Sequence, residues 1–237
     1  MTSKSGTLYG VGVGPGDPEL ITVKAYRLLQ MCPVIAYPNK RMGEKSYALE
    51  IVELYVDQAE KTMLGLVFPM TKDEAVLQEH WNNTVESVWS HLREGRDVVF
   101  VTEGDPMLYS TFIPMSRLMR LQHPEIEVLS VPGVSSVNAA ASRLGAPLAD
   151  GDEVVAIVPA TDDRSAMRAV LLAHDCVVFL KVAKVLDDIL SILQELDLTD
   201  KAMVCTNVTS SRERVWRHVL ELQGASLNYL TLMVVRK

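Results

Sequence analysis

The feature that most constrains this chain is a repeated alternation: a short β-rich run, a glycine- and proline-rich loop, then a longer stretch with helical spacing. From Leu8 to about Leu148 the runs Leu8–Val13, Val34–Tyr37, Leu64–Phe68, Val98–Thr102 and Glu127–Val131 alternate with the stretches Glu19–Met31, Ser46–Val56, Lys72–Glu94 and Tyr109–Leu121. Parallel strands need a long crossover between them, usually a helix, so this grammar predicts a parallel α/β sheet. Within the helical stretches Leu20, Val23 and Leu28, or Val85, Val88, Trp89 and Leu92, recur at three- and four-residue spacing and are predicted to face a core. After Asp150-Gly151-Asp152 the grammar changes. Glu153–Val158, Cys176–Leu180, Ala202–Val208, Val215–Leu220 and Tyr229–Val235 read as strands, with only Asp163–His174 and Val185–Leu196 as clear helices. Several of the last strands are joined by short turns, which predicts a mixed or antiparallel sheet. The expected organisation is therefore an N-terminal parallel α/β domain over 1–149 and a mixed-sheet α/β domain over 150–237.

Composition removes several function classes. The chain has 237 residues and a formal net charge of −7, with a sequence pI of about 5.3, and no stretch concentrates Lys and Arg. A surface that tracks phosphates requires such a concentration, so nucleic acid is not expected as a partner. Every apolar run is broken well before the ~18 residues that a membrane span needs, and no membrane partner is expected. Met1-Thr2-Ser3-Lys4-Ser5-Gly6 leads into an apolar run cut by Gly10, Gly12, Gly14 and Gly16, which is no secretory signal, and the expected location is cytoplasmic. Cys32, Cys176 and Cys205 are odd in number, far apart and set in apolar surroundings, so they read as small buried hydrophobes. The five histidines never fall into a pair at ligand spacing, and no protein-bound metal is expected.

Three loops carry the chemistry. The first, Gly10-Val11-Gly12-Val13-Gly14-Pro15-Gly16-Asp17-Pro18, follows a predicted strand and precedes a helix. It is not a dinucleotide fingerprint, because the third glycine position is Pro15 counted from Gly10 and Asp17 counted from Gly12. Asp17 as N-cap with Pro18 behind it is an ordinary helix start. Glycine is selected where φ must be positive or a ligand must approach the backbone, so the loop is expected to face a ligand. The second, Thr102-Glu103-Gly104-Asp105-Pro106, repeats the Gly16-Asp17-Pro18 sequence and continues as Tyr109-Ser110-Thr111. It follows a fully apolar and therefore central strand, and ligands of open α/β sheets sit outside the carboxyl ends of such strands. Asp105 there reads as an N-cap, as a carboxylate presented toward a ligand, or as both at once. The third, Val131-Pro132-Gly133-Val134-Ser135-Ser136, opens a helix through Ala139-Ala140-Ala141. Its two hydroxyls either cap that helix or bind a polar ligand.

In this order and at these separations, over almost the whole chain, the loops resemble those of the class III S-adenosylmethionine-dependent methyltransferases that modify tetrapyrroles. Tyr37-Pro38, Phe68-Pro69-Met70-Thr71-Lys72-Asp73, Tyr109-Ser110-Thr111-Phe112 and Leu180-Lys181-Val182 add to the resemblance. It implies two α/β domains with the methyl donor in the cleft between them, a homodimer, and methyl transfer to C20 of precorrin-2 or cobalt-factor II in corrin biosynthesis. The donor, S-adenosylmethionine, leaves as S-adenosylhomocysteine. It would contact Gly104, Asp105, Leu108, Ser135, Ser136, Leu180 and Lys181, with Val208 and Thr231 placed by looser matching. The first loop, through Gly14, Pro15 and Gly16, would line the tetrapyrrole trough together with Tyr37. Lys40, Arg41, Lys45 and Arg117 would answer the substrate carboxylates, with Arg120 a further candidate, since arginine binds a carboxylate bidentately.

The implied reaction asks for positioning more than for acids and bases, because an electron-rich meso carbon attacks the sulfonium methyl in line. C20 must lose a proton at some stage, and Asp105, Tyr109 and Glu103 are the candidates for assisting it. Related enzymes that methylate ribosomal RNA or a modified histidine share the Gly-Asp-Pro turn. The acidic charge counts against RNA. Another tetrapyrrole carbon, or a non-catalytic ligand-binding module of the same fold, are the alternatives.

Overall fold

A computed structural model describes residues 4–39, 46–68 and 74–237. The chain divides into two compact units, Met1–Ser135 and Ser136–Lys237, ahead of the 149/150 limit read from the change in grammar. The stretch between the two limits is tied to the second unit. Helix α5 (Ser136–Leu144) packs against strand β10 (Thr231–Arg236), and Arg236 donates from Nη1 to the Pro147 carbonyl at 2.6 Å and from Nη2 to Glu153 at 2.8 Å.

The first unit holds a five-stranded sheet of β1 (Leu8–Gly12), β2 (Val34–Asn39), β3 (Thr62–Val67), β4 (Val98–Thr102) and β5 (Val128–Val131), in the order β3-β2-β4-β1-β5. All of its pairings are parallel, as the alternation predicts. Every residue of β4 is buried, because helices cover both faces of its sheet. Successive strand side chains point to opposite faces. Val98 and Phe100 join a core with α3 (Glu74–Leu92) and α4 (Phe112–Gln122), while Val99 and Val101 join a second core with α1 (Val23–Met31) and α2 (Tyr47–Val52). The α4 helix approaches so closely that a Cβ on Gly10 would lie 2.2 Å from the Phe112 ring.

Two predicted helices start later than their spacing suggests. The stretch Glu19–Met31 breaks at Ile21, whose backbone is extended, leaving a single 3₁₀ turn at Pro18–Leu20. The hydroxyl of Thr22 then accepts from the Ala25 amide at 3.1 Å and restarts the chain as α1. The predicted helix from Tyr109 begins at Phe112, because Tyr109 has φ of +52° and cannot belong to a right-handed helix.

The second unit holds a mixed sheet of β6 (Val155–Pro159), β7 (Cys176–Leu180), β8 (Ala202–Thr206), β9 (Arg214–Trp216) and β10, in the order β6-β7-β10-β8-β9. Only β6 and β7 are parallel; β10 runs antiparallel to β7 and β8. Val177, Phe179, Val204 and Met233 pack with helices α6 (Arg164–Ala173) and α7 (Leu186–Glu195). The alternating residues Cys176, Val178, Leu232 and Val234 are buried too. The predicted strand over Val215–Leu220 is shorter: β9 stops at Trp216, and Val219–Leu222 forms a 3₁₀ turn.

Candidate functional site

In the first unit the three loops meet because their strands are neighbours. Gly12 is in register with Thr102 and Val11 with Val131, so the loops leaving β1, β4 and β5 start side by side at one carboxyl edge. Hydrogen bonds lace the first loop to the second: the Val13 amide donates to the Thr102 carbonyl at 3.0 Å, and the Gly104 amide to the Gly14 carbonyl at 2.8 Å. The third loop closes on both. A Cβ on Gly12 would lie 2.4 Å from the Gly104 carbonyl oxygen and 2.7 Å from the Gly133 nitrogen, and one on Gly133 would lie 2.2 Å from that same oxygen. Gly14 and Gly104 have φ of +89° and +67°, which L side chains rarely adopt. Backbone-to-backbone contact between loops thus accounts for much of the glycine content that the sequence attributes to a facing ligand. Gly14 and Pro15 are buried and Gly16 half-buried, with the Tyr47 hydroxyl donating to the Pro15 carbonyl at 3.3 Å.

The repeated Gly-Asp-Pro sequence is a repeated geometry. Asp17 Oδ1 accepts from the Glu19 amide at 2.9 Å, and Asp105 Oδ1 from the Met107 amide at 2.8 Å. In both cases the intervening proline has no N–H, so the carboxylate reaches the next amide. Asp17 caps its 3₁₀ turn as expected. Asp105 is not a helix N-cap: α4 starts at Phe112, and Ser110 serves that first amide instead, accepting from it at 3.1 Å while donating to Thr102 Oγ1 at 3.1 Å. The second oxygen of Asp105 accepts from the Gly133 amide at 3.0 Å and so joins the second loop to the third. Glu103, Asp105 and Leu108 are half-buried, and Tyr109 is exposed.

The second unit gathers its own set of expected residues. Leu180 is in register with Leu232 and with Pro159, and Thr231 with Thr206, so the ends of β6, β7 and β8 and the start of β10 share one edge. Leu180, Lys181, Val208 and Thr231 therefore stand at the same edge of this sheet. Lys181 has φ of +61°, and its Nζ lies 5.5 Å from the centroid of the Tyr229 ring, within cation–π range. Val208 is buried between Asn207 and Thr209, with φ of +46° and +66°. Thr231 donates to the Asn228 carbonyl at 2.6 Å. Asn207, Thr209 and Tyr229 adjoin this edge and are not among the residues the sequence marks as candidates. Asn tolerates this backbone and is the one such signal present; nothing marks the other two. Of the hydroxyl pair, Ser135 is buried and Ser136 is the first residue of α5.

The expected substrate residues are dispersed. The Tyr37 ring lies over Gly65 and packs against the core with α1 and α2. Arg117 is exposed on α4, whereas Arg120 is held by the Val128 carbonyl at 3.0 Å. Lys40, Arg41 and Lys45 lie outside the described residues, as does Pro69–Asp73. Elsewhere in the second unit a shallow depression beside β9 is lined by Arg143, Glu213, Trp216 and His218. Arg143 pairs with Glu213 at 2.7 Å; this contact holds the Glu213 carboxyl below the usual range against its partial burial, helped by the Thr209 amide. All three cysteines are free and buried. Burial pushes the Cys32 thiol up to about 11 and that of Cys205 to about 12.

Residues 7–223 match the family described as Tetrapyrrole (Corrin/Porphyrin) Methylases. The chain is 38% identical to a probable cobalt-precorrin-2 C(20)-methyltransferase of Methanocaldococcus jannaschii, over 97% of this chain and 96% of that one. It is 34% identical to the cobalt-precorrin-2 C(20)-methyltransferase of Salmonella typhimurium, over 98% and 97%. Among solved structures, a cobalt precorrin-4 methyltransferase superposes with a TM-score of 0.74 at 22% identity, over 97% of this chain and 94% of that one. Uroporphyrin-III C-methyltransferase of Thermus thermophilus, complexed with S-adenyl homocysteine, gives 0.68 at 24% identity, over 98% of both chains. The two-unit fold is thus that of known tetrapyrrole methyltransferases, and this chain belongs to the tetrapyrrole (corrin/porphyrin) methylases.

Proposed function

We propose that the chain transfers a methyl group from S-adenosylmethionine to C20 of precorrin-2 in cobalamin biosynthesis, with the cobalt complex as its preferred acceptor. The observation that carries this reading is the near-complete alignment with two cobalt-precorrin-2 C(20)-methyltransferases. A relative named for the metal-free acceptor, from Sinorhizobium, is 33% identical over 84% of this chain, which is why the metal-bound form stands first. The homodimer rests on family resemblance. Three free, buried thiols and an acidic chain support a reducing, cytoplasmic setting and argue against nucleic acid.

S-adenosylmethionine, when bound, supplies an electrophilic methyl on sulfur. Gly104, Asp105, Leu108 and Ser135 in the first unit, and Ser136, Leu180, Lys181, Val208 and Thr231 in the second, are the residues we assign to holding it. Within the first unit the Gly104 backbone and the buried Ser135 hydroxyl suit the donor's polar groups, and within the second the apolar Leu180 stands at the sheet edge beside Lys181 and Thr231. Gly14, Pro15, Gly16, Tyr37, Lys40, Arg41, Lys45 and Arg117 are assigned to the carboxylate-rich acceptor. Fixing two reactants in line at ~3–3.5 Å can supply ~7–11 kcal/mol of a barrier. Catalysis by this chain is therefore mainly positioning, with Tyr109 or Glu103 assisting loss of the C20 proton.

The test is anaerobic incubation with S-adenosylmethionine and either precorrin-2 or its cobalt complex, followed by mass spectrometry and NMR. A new methyl at C20, formed faster with the cobalt complex, is the expected result. A methyl at another carbon would keep the family and refute C20; binding of S-adenosylhomocysteine with no transfer to either acceptor would point to a binding module.

A further inference from the structure

We propose that Asp105 is a positioning residue: its carboxylate clamps two backbone amides and thereby fixes the third loop of the first unit against the second, and it does not take up the C20 proton. The inference deepens the methyltransferase reading and rests on it. Both oxygens are engaged with backbone, Oδ1 with the Met107 amide at 2.8 Å and Oδ2 with the Gly133 amide at 3.0 Å. A hydrogen bond to an ionised acceptor is roughly twice as strong as a neutral one, and placing a proton on this carboxylate would weaken both. The first bond shapes the turn that presents Gly104 and Leu108. The second reaches across 28 residues to the amide of Gly133, the residue whose added Cβ would lie 2.2 Å from the Gly104 carbonyl oxygen.

That contact needs a tie. Gly133 packs so tightly on Gly104 and Gly12 that no side chain fits at either Gly12 or Gly133, so these two positions add no side-chain contact between the loops. Lacing by backbone hydrogen bonds joins the first loop to the second. Asp105 supplies the corresponding tie between the second and the third, and two residues beyond Gly133 the chain reaches the buried Ser135. Donor affinity is then the quantity that Asp105 controls, through the placement of Gly104 and Ser135.

The experiment compares wild type, Asp105→Ala and Asp105→Asn by calorimetry with S-adenosylhomocysteine and by kcat at saturating donor across pH. With both ties lost, Asp105→Ala is expected to weaken binding about tenfold or more. Asp105→Asn keeps one carbonyl oxygen and turns an NH₂ toward the other amide, so it falls between wild type and Ala. In both, the pH profile of kcat at saturating donor keeps its shape. Loss of a limb of that profile, or donor affinity within twofold of wild type in the Ala variant, would overturn the clamp. If both variants fail to fold, hydrogen exchange on the wild-type protein decides: the Gly133 and Met107 amides must be protected, and exchange at open-loop rates refutes the proposal. Failure of the wild type to bind S-adenosylhomocysteine would instead count against the methyltransferase reading itself.

Discussion

The two sheet edges to which donor contacts are assigned are built by opposite means. In the first unit, loops close on one another through glycine: Gly12, Gly104 and Gly133 touch backbone to backbone, and the left-handed Gly14 and Gly104 carry little strain. In the second unit, Lys181, Asn207 and Thr209 take left-handed backbone conformations with full side chains in place, as Tyr109 does farther along the first unit's second loop. For a β-branched residue such as Thr209 that conformation is a true outlier, and strain of this kind costs about 1–3 kcal/mol per residue. The first edge therefore gains close approach at the expense of tolerance to substitution. The second retains its side chains and stores strain.

Substitutions that exchange these strategies break the comparison most clearly. Gly133→Ala places a Cβ 2.2 Å from the Gly104 carbonyl oxygen. Overpacking against rigid backbone at this position is expected to cost about 3 kcal/mol, measured by urea denaturation, and to weaken binding of S-adenosylhomocysteine as well. A loss below about 0.5 kcal/mol would mean that the loops are not in close contact. At the other edge the sign reverses. Thr209→Gly relieves a strained backbone and is expected to stabilise the protein by about 1 kcal/mol, after the extra chain entropy that glycine loses on folding. Destabilisation there would show that the Thr209 side chain contributes more than its conformation costs.

Much of this contrast is invisible to sequence reading, for physical reasons. Strand β4 is legible because a run of five buried residues without a polar face has few alternatives to a central parallel strand. The Gly-Asp-Pro repeat is equally plain. At Asp105 only the N-cap reading fails, because an N-cap and a turn that ties two loops use the same residues, and only the partner at Gly133 distinguishes them. The late start of α4 depends on Tyr109, which carries no signal for φ of +52°. Thr209 is the extreme case, since tertiary context alone holds it left-handed. Leu180, Lys181, Val208 and Thr231 are indicated by motif resemblance, whereas their common edge follows from strand register.

Two smaller effects sharpen the account of both units. With thiols raised to about 11 and about 12 by burial, Cys32 and Cys205 are expected to resist alkylation at pH 8 in the native protein and to react fully in urea. Ready native labelling of Cys205 would mean that its sheet opens easily. The smallest effect concerns Glu213, whose carboxyl is held low by Arg143 and assisted by the amide of strained Thr209. A depressed folded-state value contributes stability above the unfolded glutamate range, lost as pH falls through the folded value. The stability difference between wild type and Glu213→Gln should accordingly shrink on acidification below the usual glutamate range. A difference that grows there would contradict the assignment.

The most direct test of the site is hydrogen exchange with and without saturating S-adenosylhomocysteine, read segment by segment. The account predicts added protection at both edges, over 104–110 and 131–136 in the first unit and over 180–182, 207–209 and 231 in the second, with the depression around 214–221 unchanged. Protection confined to one edge, or appearing chiefly at 214–221, would contradict it.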